Sequence, residues 1–236
     1  MGLVGDEITA TNASWSFGGA VAKTFDAHVS KSVPFYGVGH DLTAKIADYF
    51  LYDGALAYEL GCSTGELTRQ LALRNAGKQA RFIGIDCEAG MIEAACAKCA
   101  ELNQVSFVHA DLRDVELEKA DLILAYYTMQ FIRPAYRQAV FDRIYQALNW
   151  GGAFVMFEKV RAPDARFQDM ASALYNDYKL EQGYNEAEIV HKTRSLKGVL
   201  GPFSSQGNLD MLGRAGFADV TSVFKYVCFE GFLAIK

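Results

Sequence analysis

Short apolar runs alternate with longer stretches in which apolar residues recur every three or four positions, from about residue 55 to residue 160. A run ending at Glu59 and the runs 82–86, 105–110, 121–126 and 153–158 have the length and bounding turns of strands. The stretches between them, through Thr68 and Leu73, over 89–102 and over 136–148, carry helical periodicity. Strands that are apolar throughout, alternating with amphipathic helices, predict an α/β fold. Its sheet is doubly wound, mostly parallel and covered on both faces.

The ends of the chain break this alternation. Residues 1 to about 12 read as a loosely ordered tail, and 15–50 as helical, interrupted at Ser32-Val33-Pro34-Phe35-Tyr36-Gly37. Two helices with a turn near Gly183-Tyr184-Asn185 are expected over 164–200, and another over 206–215, stopped by Gly216. The runs 220–229 and 232–235, separated by Glu230-Gly231, predict a closing antiparallel hairpin. The expected organisation is a helical lid over 1–50 and an α/β domain over 51–236 with a helical insertion at 164–205.

Composition narrows the class. The chain has 236 residues, 51% apolar, enough for a large core without disulfides or metals. A net charge of −5 disfavours a basic nucleic-acid surface, so direct nucleic-acid binding is not expected. No apolar run approaches the ~20 residues of a membrane span, and no secretory pattern opens the chain, so a cytoplasmic protein is expected. Cys62, Cys87, Cys96, Cys99 and Cys228 are odd in number and scattered, which suggests free thiols. The Cys96-Ala-Lys-Cys99 pair lies in a helical pattern with no second pair to complete a metal site, and no metal is expected.

Chemistry concentrates in Glu59-Leu60-Gly61-Cys62-Ser63-Thr64-Gly65-Glu66 and in Asp86, which ends the next strand 25 residues after Gly61. A glycine turn between strand and helix, followed by an acid at the neighbouring strand tip, suits a nucleoside: close main-chain approach, then a carboxylate on the ribose hydroxyls. Gly61-Cys62-Ser63-Thr64-Gly65 also spells a hydrolase nucleophile elbow. Neither His109, in a strand, nor His191, in a charged helix, follows an acid at a strand-end loop as a triad requires. A dinucleotide site would need glycine where Glu66 stands, beside a diphosphate. The acid-x-G-x-S-x-G pattern instead resembles the first motif of class I S-adenosylmethionine (SAM) methyltransferases, whose ligand is a sulfonium cation. Asp111, at the tip of the third strand, can accept from an adenine amine.

A narrower resemblance covers residue 15 to the end. Trp15-Ser16-Phe17, Ser32-Val33-Pro34-Phe35-Tyr36, Glu59-Leu60-Gly61-Cys62-Ser63, Ala110-Asp111-Leu112-Arg113-Asp114, Thr128-Met129-Gln130-Phe131, Asn149-Trp150-Gly151-Gly152, Glu158-Lys159 and Gly183-Tyr184-Asn185-Glu186 follow one another in an order similar to that of the carboxy-S-adenosylmethionine synthase family. That family supplies the carboxymethyl donor for a modified tRNA wobble uridine, capturing carbon dioxide from prephenate on the sulfonium methyl carbon. The resemblance implies a homodimer and a ligand, SAM or carboxy-SAM, lined by Tyr36, Gly61, Cys62, Ser63, Asp86, Cys87, Asp111 and Leu112. Glu59 and Gly65 of the turn, and Tyr126 where the family carries Asn, complete the expected cofactor set.

Two departures bear on the reaction. Besides Tyr126, the family's carboxylate-binding arginine falls on Thr193, with Arg194 one place on. One residue along a helix is a rotation of about 100°, enough to misdirect a guanidinium fork. Tyr127, Tyr178, Tyr184 and Arg194 are the candidate substrate contacts, and Lys192, Arg194 and Lys197 otherwise read as a solvated face. No residue presents itself as a catalytic base. The expected activity is methyl transfer to a small-molecule acceptor, by in-line orientation that supplies on the order of 7–11 kcal/mol. Carboxy-SAM synthesis and a non-catalytic SAM-binding module are the alternatives.

Overall fold

The computed structural model describes residues 2–5, 8–18 and 21–236. Two short strands, β1 (Gly2–Leu3) and β2 (Thr9–Ala10), pair antiparallel, and helices α1 (Val21–Ser32) and α2 (Tyr36–Ala47) follow. The main sheet then begins: β3 (Leu56–Leu60), α3 (Glu66–Arg74), β4 (Arg81–Asp86), α4 (Ala89–Lys98), β5 (Val105–His109) and β6 (Ala120–Tyr126). A 3₁₀ turn at Met129–Phe131, α5 (Pro134–Ala147) and β7 (Leu148–Lys159) lead to α6 (Ala165–Glu181), α7 (Glu186–Ser195) and α8 (Ser205–Ala215). β8 (Asp219–Tyr226) and β9 (Phe229–Ile235) end the chain. The seven strands lie in the order β5-β4-β3-β6-β7-β9-β8; β5 through β7 are parallel, and β9 is antiparallel to β7 and β8.

The period-two alternation of buried strands divides the core into two faces. Ile123, Ala125, Phe154 and Met156 pack with Phe141 and Ile144 of α5 and Met211 and Leu212 of α8. Leu122, Leu124, Val155 and Phe157 pack with Ala44 and Ala47 of α2 and Leu67 and Leu71 of α3. Beneath one edge of the site, Arg137 is fully buried, and its Nη2 donates to the carbonyls of Ile132 (2.7 Å) and Gly201 (2.9 Å). Glu158 is buried nearby, and burial pushes its carboxyl up to about 8.

Three sequence expectations are corrected. The expected loose tail contains the β1–β2 pair, and β1 lies against α7. The segment that follows it satisfies carbonyls at the end of α7, with Ala13 N–H donating to Arg194 O (3.0 Å) and Trp15 N–H to Ser195 O (3.2 Å). Helix α1 begins at Val21 rather than near Trp15. The hairpin turns at Val227-Cys228, with Val227 at φ 48°, and Glu230-Gly231 lie inside β9. Gly231 marks a close approach instead: a Cβ there would come within 2.7 Å of the Phe157 ring.

Candidate functional site

The strand order reverses between β3 and β6, and the C-terminal ends of the strands meet there, where doubly wound sheets bind ligands. β3 ends in the glycine turn. Gly61 and Gly65 adopt φ 72° and 74°, the left-handed region that favours glycine, and Ser63 is held at φ 49° between them. A side chain on Gly61 would overlap Thr128, and one on Gly65 would meet Phe107 (2.8 Å) and Ala95 (2.9 Å). Their small size therefore serves packing against neighbouring elements as well as the turn.

Asp86 closes the turn from β4. Its Oδ2 accepts from Ser63 N–H (2.9 Å) and its Oδ1 from Glu88 N–H (3.0 Å). A carboxylate has about four acceptor positions, so these donors leave room for a hydroxyl. Burial raises its pKa, and these main-chain donors offset that only in part. Glu59 is a different kind of acid. It is buried, accepts from the Thr68 hydroxyl, and burial pushes it up to about 8. It is a neutral packing group beneath the turn, outside the cavity lining.

A cavity of about 840 Å³ opens over these strand ends, towards the upper end of the ~300–1,000 Å³ typical of ligand sites. Of the sequence-predicted cofactor residues, Tyr36, Gly61, Ser63, Asp86, Cys87, Asp111, Leu112 and Tyr126 line it; Glu59, Cys62 and Gly65 lie behind the surface. Asp111 is paired with Arg113 (2.6 Å), whose guanidinium holds the carboxyl below its usual range. Among the predicted substrate contacts, Tyr127 and Tyr184 line the cavity; Tyr178 stacks outside it on Tyr175, and Arg194 is exposed and does not reach it. Thr193 lines it instead.

The N-terminal helices and the insertion cover the cavity from two sides. The Thr64 hydroxyl donates to Asp26 of α1 (2.6 Å), and Lys98 reaches both Asp26 (2.7 Å) and Glu66 (3.2 Å), tying α1 to the glycine turn. Tyr175 of α6 donates to the Ser32 carbonyl (2.8 Å), and the hydroxyls of Ser32 and Tyr184 are 2.9 Å apart. An aromatic cluster forms the inner wall. Tyr126 donates to the Tyr36 carbonyl (2.7 Å), and His40 packs on both rings at 4.6 Å. Burial lowers His40 to about 4, so it is neutral at physiological pH.

Several wall residues escaped the sequence reading. Lys192, read as part of a solvated face, places its amine 3.0 Å from the centre of the Trp15 ring and 2.7 Å from His28 Nε2. Lys159 and Lys179 both line the cavity beside Tyr175. Position carried a usable signal for each: Lys159 ends a central strand, and Lys179 lies four residues, one helical turn, after Tyr175. Gln130 organises this corner, donating to Tyr127 O (3.1 Å) and accepting from Lys159 N–H (2.8 Å). Among the described residues no cluster of His, Cys, Asp or Glu could hold a metal ion, and no helix is long and apolar enough to cross a membrane.

A parallel sheet closed by an antiparallel hairpin, a glycine turn, and acids at successive strand tips define a SAM-dependent transferase of the methyltransferase type. A methyltransferase-domain family profile matches residues 57–152. A putative SAM-dependent methyltransferase of Methanococcus maripaludis superposes with a TM-score of 0.62 at 18% identity, covering 97% of both chains. Human N-acetylserotonin methyltransferase, solved with SAM, gives 0.62 over 91% of this chain and 54% of its own. At the sequence level, the chain is 38% identical over 223 residues to carboxy-S-adenosyl-L-methionine synthase of Campylobacter lari, covering 94% of each. It is 34% identical to that of Staphylococcus epidermidis, covering 94% of this chain and 97% of the relative. The chain belongs to the carboxy-S-adenosyl-L-methionine synthase family.

Proposed function

We propose that this chain binds SAM with Gly61, Ser63, Asp86 and Asp111, and transfers its methyl group to a small-molecule acceptor in the same cavity. The observation that carries the reading is continuity. One cavity runs from Asp86 at the tip of β4, past Tyr126 and Tyr127, to Lys159 and Tyr175 beyond β7. The donor set suits the cofactor: Asp86 has acceptor positions left for ribose hydroxyls, and Lys98, the cation at the glycine turn, is paired with Asp26 and Glu66. SAM supplies an electrophilic methyl carbon. The chain's own residues bind, orient and exclude water: residues 1–50 act as a lid over the 51–236 domain, with Tyr36 and Tyr126 forming the inner wall. Arg194 is too exposed to grip a carboxylate in the cavity, which favours methyl over carboxymethyl chemistry.

Carboxy-SAM synthesis from SAM and prephenate, feeding tRNA wobble-uridine modification, is the second reading. It is supported by the relatives' shared name and by lysines in the cavity wall that could serve an anion in the arginine's absence. A cytoplasmic homodimer accords with both readings. Mass spectrometry of ligand released from pure protein, and of SAM after incubation with and without prephenate, separates them. SAM or S-adenosylhomocysteine alone supports methyl transfer. A prephenate-dependent carboxylated adduct overturns it in favour of the second reading, and absence of any nucleoside counts against both.

A further inference from the structure

The Asp111 carboxylate is gripped by one neighbour. Arg113, two residues on, donates its main-chain N–H to Oδ1 (2.8 Å), its Nε to both oxygens (3.0 Å each) and its Nη2 to Oδ2 (2.6 Å). The same guanidinium lies over the Tyr136 ring of α5, 5.4 Å from its centre. Arg143, also on α5, ties down the loop itself, donating to the carbonyls of Leu112 and of Val115 (3.3 Å). The Asp111 carbonyl accepts from Asp114 N–H (3.0 Å) and Val115 N–H (3.1 Å). Position 111 is therefore fixed in main chain and side chain alike. An exposed ion pair contributes little to stability, and the Asp111 and Arg113 side chains are 36% and 46% exposed. So much restraint on so exposed a pair calls for a reason other than stability.

Asp111, Leu112 and Arg113 all line the cavity. Three donor groups on a carboxylate with about four acceptor positions leave room for a further donor. The next main-chain N–H, that of Leu112, has no acceptor among the described residues. An acceptor and a donor thus stand side by side. Adenine presents the complement, an N6 amine that donates beside an N1 that accepts, and a 6-oxo purine reverses both groups. An ionised carboxyl only accepts, whereas a protonated or rotated one can donate to a 6-oxo group. Asp111 therefore rejects the wrong base only while it stays ionised and in one plane. A planar guanidinium fork supplies both the charge and the direction. We infer that Arg113 is a specificity-determining positioning residue: by holding the Asp111 carboxylate in one plane as an acceptor, it makes the cavity select a 6-amino purine nucleoside over its 6-oxo counterpart. This rests on the transferase reading above and assigns to that site the residue behind its choice of base.

The test is calorimetry on the full chain at neutral pH. S-adenosylhomocysteine and S-inosyl-L-homocysteine, its 6-oxo counterpart, are each titrated into the wild type, Arg113→Ala and Arg113→Lys. The readout is the ratio of the two affinities, which a loss of folding or of general binding does not change. The wild type should prefer the adenosyl compound by at least about thirtyfold, since two hydrogen-bonding groups are reversed in the other. Arg113→Ala should lower that ratio at least about fivefold, chiefly by weakening the adenosyl compound, and Arg113→Lys, which keeps the charge but not the fork, should fall between the two. The pair is exposed, so the Tm of either variant should stay close to that of the wild type. If Arg113→Ala fails to fold, Arg113→Lys is read alone, and a ratio equal to the wild type's overturns the inference. A ratio in Arg113→Ala within about twofold of the wild type's overturns it too. So does an equal loss of both compounds, which would make the guanidinium a general contact with the base. Equal binding of both by the wild type would likewise overturn it and leave Asp111 as a turn residue. Absence of S-adenosylhomocysteine binding to the wild type would instead remove the transferase reading itself.

Discussion

Replacing Gly39 by alanine tests how the inner wall is built. Gly39 lies buried on α2, and a Cβ there would overlap the Tyr126 hydroxyl, while standing 3.1 Å from its Cζ and 3.3 Å from Phe157. The phenol thus occupies space that only glycine leaves, and its hydrogen bond to the Tyr36 carbonyl depends on that space. Alanine in a helix is favoured by roughly 0.5–1 kcal/mol. Against this stand overpacking, about 1–3 kcal/mol, and the lost Tyr126 bond, about 0.5–1.5 kcal/mol. Gly39→Ala should therefore destabilise by about 1–3 kcal/mol, and Tyr126→Phe by about 1 kcal/mol. Removing the hydroxyl also removes the worst overlap, so the double variant should lose at least ~1 kcal/mol less than the two singles together. Urea unfolding of the four ligand-free proteins measures this. Because Tyr36 lines the cavity, SAM affinity should fall in Gly39→Ala and partly recover in the double variant. Additivity within ~0.5 kcal/mol would refute the coupling.

Other outcomes follow from the same geometry. Thr64→Val removes the hydroxyl that bridges Asp26 and Lys98, so SAM should dissociate several-fold faster from a protein of nearly unchanged Tm; an unaltered off-rate in a chase experiment would mean that α1 is not held by this contact. Glu59, raised to about 8 by burial, contributes stability that is complete below its unfolded value near 4.5 and is lost as pH rises through about 8. Glu59→Gln has no such loss, so its Tm relative to wild type should climb between pH 5 and 8; a flat difference would show that the carboxyl is not held neutral. Arg194→Ala should leave SAM affinity and turnover within about twofold, and abolished turnover would bring that side chain into the site.

The central strands were legible because both faces are buried, so each reads as an apolar run ending where a turn must follow. The same logic exposed Gly61 and Asp86. The hairpin was misplaced because Gly231 looks like turn chemistry, whereas its role, to admit the Phe157 ring, depends on a residue 74 positions earlier. The β1–β2 pair escaped notice because two-residue strands have no period and are held by α7, far along the chain. Lys192 looked solvated because its partners, Trp15 and His28, lie on segments that only tertiary packing brings to it. Lys179 stands one helical turn after Tyr175, which was the available signal, but its burial depends on a facing wall that the helix alone does not show. The fit of Tyr126 to Gly39 is likewise a property of the pair, which neither position reveals alone.

Calorimetric titration of SAM into the wild type and Asp86→Ala tests the central claim most directly. The account predicts measurable heat with a Kd in the range of ~1 μM to 1 mM for the wild type. Losing hydrogen bonds to a charged acceptor, about 1.5–3 kcal/mol, predicts an affinity roughly ten- to a hundredfold weaker in a still-folded variant. No heat with the wild type, or equal affinity in both proteins, would contradict it.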